Sequence, residues 1–164
     1  MKNLSTKALA RMALLTAIAL AIHVAEAQIP APVPIPGVKL GLANIITVYA
    51  MFALGPVDTL CILLVRVFLG SVFSGAMVTL LYSLAGGLLC YLIMLLLRRL
   101  LTQRQIWVCG VIGAVFHNLG QTFVAIALFR SLSVAVYLPV LMLSGMITGL
   151  FTGLCAQLLI RRLD

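Results

Sequence analysis

The residues of this chain that could take part in chemistry are few and lie far apart. The only acids are Glu26, Asp58 and Asp164, and the only histidines are His23 and His117. The sequence therefore lacks the clustered aspartates with which a prenyl-diphosphate synthase holds Mg²⁺ against its substrate. The two histidines and Glu26 could share a metal ion, but the short ligand spacing of a motif such as HExxH is missing. We therefore expect no enzyme activity, no metal and no cofactor.

The composition indicates that these residues lie within a bundle of membrane-spanning helices. Hydrophobic residues make up 64% of the 164 positions and charged residues only 9%, with a mean hydropathy of +1.26, values outside the range of soluble domains. A membrane-spanning helix needs about 20 mostly apolar residues. We predict spans at 8–27, 38–54, 59–75, 77–97, 106–128 and 134–160. The expected fold is an all-α integral membrane protein, one compact bundle of about six transmembrane helices forming a single domain over residues 1–164.

The basic residues indicate the orientation of these spans. With six alternating spans, most of them fall at helix ends on one side of the membrane, namely Lys2, Lys7, Arg11, Arg98, Arg99, Arg104, Arg161 and Arg162. This positive-inside pattern places both termini in the cytoplasm and explains the net charge of +8 without nucleic acid. The first span also resembles a signal peptide, since it ends in an A-x-A-like site at 25–27. We interpret it as the first transmembrane helix.

Polar side chains within the predicted spans converge on the outer half of the membrane. Ionisable groups at this depth usually face a cavity or the bundle interior. The predicted ligand-binding residues are His23, Glu26, Lys39, Asn44, Arg66, His117, Asn118 and Gln121. Because Lys39 and Arg66 outweigh Glu26 in charge, an anionic or strongly polar ligand is favoured. In the alternative interpretation these residues only pair with one another across helices, for example Glu26 with Lys39 or Arg66.

Two further patterns predict a lid and closely packed helix surfaces. The segment 29–37 alternates prolines and ends in a glycine, which favours a stiff, extended loop across the mouth of the site. The predicted lid residues are Pro30, Pro32, Pro34, Pro36 and Gly37. Small residues recur every fourth position on the first span, at Ala13, Ala17, Ala21 and Ala25, and on the last span, at Gly145, Gly149 and Gly153. Such stripes let another helix approach closely.

Four longer runs together resemble one known family. They are PGVKLGLAN at 36–44, LLVRVFLGSVFSG at 63–75, SLAGG at 83–87 and HNLGQ at 117–121. In combination they resemble the membrane family called heptaprenyl diphosphate synthase component I, also called Gx transporter. That family belongs with the substrate-binding S components of energy-coupling factor (ECF) importers, which are small six-helix proteins.

The resemblance implies a function and partners for this chain. In S components the first helix carries an AxxxA motif that docks on a transmembrane coupling subunit, and Ala13, Ala17 and Ala21 match that motif. The loop after this helix covers an outward-facing ligand site in those proteins. The sequence has no GxxxxGK[ST] loop, so ATP must be hydrolysed by another chain, which in these importers means two ATPase subunits. A multi-pass protein of the bacterial cytoplasmic membrane is expected.

Two hypotheses of function are compatible with these observations. In the first, the chain captures a small anionic or polar nutrient, or a quinone- or isoprenoid-related precursor, for an ECF-type importer. In the second, it is an accessory membrane subunit for quinone or isoprenoid synthesis, or for flavin- or quinone-linked electron transfer. The sequence does not name the ligand.

Overall fold

The structure is a computed structural model that describes residues 5–26, 28–29, 41–75 and 77–163. Within those ranges all regular secondary structure is helical, which confirms the predicted all-α fold. The α-helices are α1 (Thr6–Glu26), α2 (Asn44–Ala53), α3 (Pro56–Ser74), α4 (Met77–Leu97), α5 (Ile106–Phe129) and α6 (Leu138–Leu163). Two short 3₁₀ helices, Gln103–Gln105 and Leu132–Tyr137, precede α5 and α6.

Five of the described helices, all except α2, are long and apolar enough to cross a membrane. The chain is therefore a multi-pass membrane protein. These helices begin and end within a few residues of the predicted spans, because each helix extends as far as its long apolar stretch. Their sidedness stays a prediction.

Helix α2 is much shorter than the span predicted at 38–54. It has ten residues, Asn44–Ala53, and so extends about 15 Å, half of the hydrocarbon thickness. Residues 41–43 form a turn, in which Gly41 has a φ of +81°, a left-handed conformation that interrupts a helix. Because α2 starts after this turn, its first residue lies inside the bundle rather than at its outer end.

Helix α3 is bounded by glycines with left-handed or otherwise unusual backbone angles. Gly55, at φ +113°, reverses the chain, and Pro56 occupies the first helical position, where its missing N–H has no helical partner to lose. Gly75 ends the helix at φ +64°, the conformation typical of a helix C-terminus. These two glycines therefore mark the start and the end of α3.

Helix α5 packs between α4 and α6 through glycines on both sides. A Cβ atom added at Gly120 would lie 2.7 Å from the Ala85 carbonyl oxygen of α4. One added at Gly110 would lie 2.5 Å from the Gly149 carbonyl oxygen of α6. Both distances are shorter than any stable contact, so the backbones of these helices touch directly. Helix α2 packs against α5 and α6, α3 packs against α4, and α1 packs against α3 and α2.

The apolar core lies towards one end of the bundle, where the C-terminal parts of α2, α4 and α6 meet the N-terminal parts of α3 and α5. It contains Val48, Met51, Leu63, Met94 and Ile106 among its buried residues. All four cysteines are free thiols, and two of them, Cys90 and Cys109, belong to this core. The polar side chains described next lie on the side of this core that is nearer to Glu26, the last residue of α1.

Candidate functional site

A polar cavity lies where α1, α3, α4 and α5 meet the start of α2. The described residues that line it are His23, Glu26, Gly41, Ala43, Asn44, Arg66, Val67, Ser83, His117 and Gln121. The free volume of the cavity is about 20 Å³, enough for about one ordered water molecule. Side chains that are far apart in sequence thus surround one small, mostly polar space.

Six of the eight residues predicted to bind a ligand line this cavity. They are His23, Glu26, Asn44, Arg66, His117 and Gln121. Asn118 lies elsewhere, and Lys39 lies outside the described residues, as do the predicted lid residues Pro30, Pro32, Pro34, Pro36 and Gly37. Their convergence fits a binding site and internal pairing alike, so the roles of these residues stay predictions.

The last turn of α1 supplies His23 and Glu26, which are 7% and 3% exposed. The His23 ring packs against Gly70 of α3, where an added Cβ would lie 2.7 Å from its Cδ2 atom. The Glu26 carboxylate accepts a hydrogen bond from the backbone N–H of Gly41. This bond joins the end of α1 to the turn before α2, at the wall of the cavity.

Arg66 lies at the middle of α3 and is buried, with 4% of its surface exposed. An arginine at the centre of a membrane helix costs about 2.5–3.5 kcal/mol on insertion scales, so it needs polar neighbours. Its Nη2 atom donates to Asn44 Oδ1 over 3.4 Å, and the Glu26 carboxylate acts on it electrostatically. Among the described residues, the Nε atom of Arg66 and the Nδ2 atom of Asn44 have no hydrogen-bond partner.

His117 and Gln121 form the α5 wall, one helical turn apart on the same face. The Nε2 atoms of the two side chains are 3.1 Å apart, in hydrogen-bond contact, while Gln121 Oε1 and His117 Nδ1 have no partner within the residues that the structure describes. Room for the imidazole ring comes from glycines on two neighbouring elements. A Cβ added at Gly86 of α4 would lie 2.9 Å from His117 Nδ1, and one at Gly41 would lie 3.3 Å from its Cδ2.

Asn118 faces α6 instead of the cavity. Its Nδ2 atom donates to the backbone carbonyl of Leu141, next to Gly145, which has no side chain to obstruct the amide. Its own backbone carbonyl accepts from the Thr122 hydroxyl over 2.9 Å. The side chain therefore links α5 to α6, as interhelical amides do in membrane bundles.

Comparison with known proteins identifies the family. Residues 15–159 match the family described as heptaprenyl diphosphate synthase component I, which covers most of the 164 residues. The chain belongs to this family. Among curated proteins and solved structures, none matches it significantly. The description "component I" indicates that proteins of this family work with at least one other subunit. The resemblance noted from the four sequence runs is thereby confirmed for the component I family.

In this component I protein the structure adds lining residues that the sequence analysis did not single out. Ser83 on α4 brings a hydroxyl to the cavity, and Gly41, Gly70 and Gly86 provide space for the histidine rings. The available signal was the placement of Ser83 and Gly86 within the SLAGG run and of Gly41 in the PGVKLGLAN run. Nothing in the sequence tells which glycine faces which ring, because that depends on helix rotation.

The described residues include no group of three or more His, Cys, Asp or Glu side chains placed to hold a metal ion. The cavity instead offers hydrogen-bond donors and acceptors, one guanidinium and one carboxylate. Such a set can bind and orient a polar molecule.

Proposed function

We propose that this component I protein is the substrate-binding membrane subunit of an ECF-type importer. It captures a small anionic or polar nutrient, or a quinone- or isoprenoid-related precursor, from outside the cell. The observation that carries the proposal is the cavity, in which polar side chains from four helices and the start of α2 surround one space. Pairing between helices accounts for single contacts, such as the one made by Asn118 Nδ2, but within the described part of the chain several atoms of the lining residues have no hydrogen-bond partner, as does Asn118 Oδ1.

The depth of the cavity supports an outward-facing site. Arg66 lies about 15 Å along α3 from Pro56 at 1.5 Å per residue, and the apolar core lies between the cavity and that end of the bundle. Glu26 is the last residue of α1, at the opposite end from Thr6. With the basic helix ends on the cytoplasmic side of a bacterial inner membrane, the cavity lies nearer the outside.

The surface of α1 supports docking on a coupling subunit. Ala13, Ala17 and Ala21 are all exposed on the outside of the bundle, so a partner helix could approach them closely. In this proposal the coupling transmembrane subunit contacts this face, and two ATPase subunits supply the energy. The chain itself binds and releases its ligand and catalyses no reaction.

A second candidate function is favoured by the family description, which names a synthase component. In this case the chain is an accessory membrane subunit for quinone or isoprenoid synthesis, or for electron transfer, and its cavity holds a quinone-like or prenyl ligand.

Copurification distinguishes the two candidates. The tagged chain, extracted in mild detergent from its own host, is expected to recover a coupling transmembrane subunit and two ATPases. Recovery of prenyl-synthase or redox proteins instead would contradict the importer proposal. Mass spectrometry of small molecules released from the same preparation would identify the ligand, with Arg66→Met as the variant expected to release it.

A further inference from the structure

Four exposed arginines share one end of the packed helices α4, α5 and α6, far from the cavity. Arg99 follows the end of α4, Arg104 lies in the 3₁₀ helix before α5, and Arg161 and Arg162 lie in the last turn of α6. All four side chains are exposed. We call them the arginine cluster.

Contacts between α5 and α6 bring two members of the cluster to the same place. The side chain of Gln157 on α6 accepts a hydrogen bond from the Trp107 backbone N–H at 3.4 Å. A Cβ atom added at Gly153 would lie 2.7 Å from the Trp107 carbonyl oxygen. Arg161 is one helical turn beyond Gln157 on the same face, and Arg104 is three residues before Trp107. Both guanidinium groups therefore lie beside the start of α5.

The helices that carry the cluster supply no negative charge to balance it. Residues 77–163 contain no aspartate or glutamate. Of the carboxylates in the described residues, Glu26 lines the cavity and Asp58 lies in the first turn of α3, which does not pack on α5 or α6. Asp164 follows the cluster in sequence, lies outside the described residues and can balance at most one of the four charges. Most of the counter-charge must come from another molecule.

The surface around the cluster is apolar, which indicates the kind of molecule that supplies this charge. Leu100 is 78% exposed, Leu163 is 67% exposed and Trp107 is 38% exposed. On membrane-spanning helices such leucines face acyl chains, and tryptophan is enriched where the chains meet the head groups. Arginine at that depth lies at the level of the lipid phosphates, which its planar fork binds through two parallel hydrogen bonds.

We infer that the arginine cluster binds the phosphate group of an anionic phospholipid, whose acyl chains lie against the exposed leucines beside it. An acidic protein surface would match the charge of the cluster but would leave these leucines without apolar contact. The lipid site is independent of the importer role, because neither the cavity nor α1 takes part in it.

The chain contains a probe for this site, because Trp107 is its only tryptophan. The full-length protein is placed in phosphatidylcholine nanodiscs that contain increasing fractions of a lipid with bromine on its acyl chains, which quenches tryptophan fluorescence on contact. The brominated lipid is phosphatidylglycerol, which is anionic, or phosphatidylcholine. Because each arginine near an anionic lipid surface strengthens binding about fivefold, half-quenching should need at least about tenfold less phosphatidylglycerol than phosphatidylcholine.

Two double variants assign this preference to the cluster. Arg104→Gln combined with Arg161→Gln removes two of its charges and should abolish the preference for phosphatidylglycerol. The matched control is Lys7→Gln combined with Arg11→Gln. It removes the same charge from exposed positions of α1, a helix that packs against α3 and α2 and not against α5 or α6. This control should keep the wild-type preference.

Three outcomes would overturn the inference. Equal quenching by the two lipids would leave the cluster to an acidic protein surface. Equal loss of the preference in both double variants would show that the net charge of the protein, and no particular site, attracts the lipid. Recovery of fluorescence on adding inorganic diphosphate at constant ionic strength would show that the cluster binds a soluble phosphate compound. None of these outcomes bears on the importer role, which is tested by copurification.

Discussion

Two stripes of small residues occupy opposite situations in this molecule. On α6, Gly149 and Gly153 lie against the backbone of α5, so close that an added Cβ at Gly149 would be 2.7 Å from the Gly110 carbonyl oxygen. On α1, Ala13, Ala17 and Ala21 are exposed along a helix of which few residues are buried. The same sequence pattern therefore forms a packed interface in one helix and an uncovered surface in the other.

The difference between the stripes follows from where each helix lies in the bundle. Helix α6 contacts α5 along much of its length, while α1 packs on one side only, against α3 and α2. A glycine stripe permits direct backbone contact, whereas alanine leaves a smooth face with methyl groups. The comparison predicts that substitutions in the α6 stripe affect folding and those in the α1 stripe affect association.

The largest effect is expected from Gly149→Leu. The new side chain would have to displace the α5 backbone, and overpacking of this kind costs about 1–3 kcal/mol or more. We expect a large loss of folded protein, measured by thermal unfolding in detergent. The matched control is Ala17→Leu, which adds similar volume on an exposed face and should leave the unfolding temperature unchanged. Equal destabilisation by both substitutions would remove the distinction between the stripes.

The next effect concerns association and is expected from Ala17→Trp. The indole ring would hold a partner helix away from α1, so copurification of the coupling subunit should fall strongly. Ligand binding by the isolated protein should survive, because the α1 residues that line the cavity, His23 and Glu26, are buried whereas Ala17 is exposed. A complex that stays intact would show that the α1 stripe contacts lipid and that the docking assignment is wrong.

The sequence could predict the fold and much of the site for different physical reasons. Long apolar runs determine spans such as Met77–Leu97, whose limits agree with the prediction. Depth in the membrane predicted that Arg66, His117 and Gln121 would converge. The late start of α2, at Asn44, depends on one left-handed glycine, Gly41, and the orientation of Asn118 towards α6 depends on helix rotation. Neither the start of α2 nor the orientation of Asn118 can be predicted from composition and spacing.

A smaller effect is expected from Asn118→Ala, which tests the difference between the packed face and the cavity face of α5. The variant loses the hydrogen bond to the Leu141 carbonyl, and such bonds contribute about 0.6–2 kcal/mol in membrane proteins. We expect a modest fall in unfolding temperature, with the ligand still detected by mass spectrometry of the purified protein. The opposite outcome, unchanged stability with lost binding, would show that Asn118 belongs to the ligand site.

The smallest effect is expected from Ala17→Gly. This variant tests whether a partner needs the methyl groups of the α1 stripe or only its smooth surface. If partners dock there because the face is smooth, removing one methyl group should leave copurification with the coupling subunit nearly unchanged. Stability should fall by no more than about 0.5–1 kcal/mol, the usual cost of glycine within a helix. The measurement pairs copurification yield with thermal unfolding, using Ala17→Trp on the same day as the reference for a lost complex. Loss of the complex in Ala17→Gly as well would show that the partner depends on contact with the Ala17 methyl group itself. The α1 stripe would then be a specific contact surface rather than a face that only lets a partner helix approach.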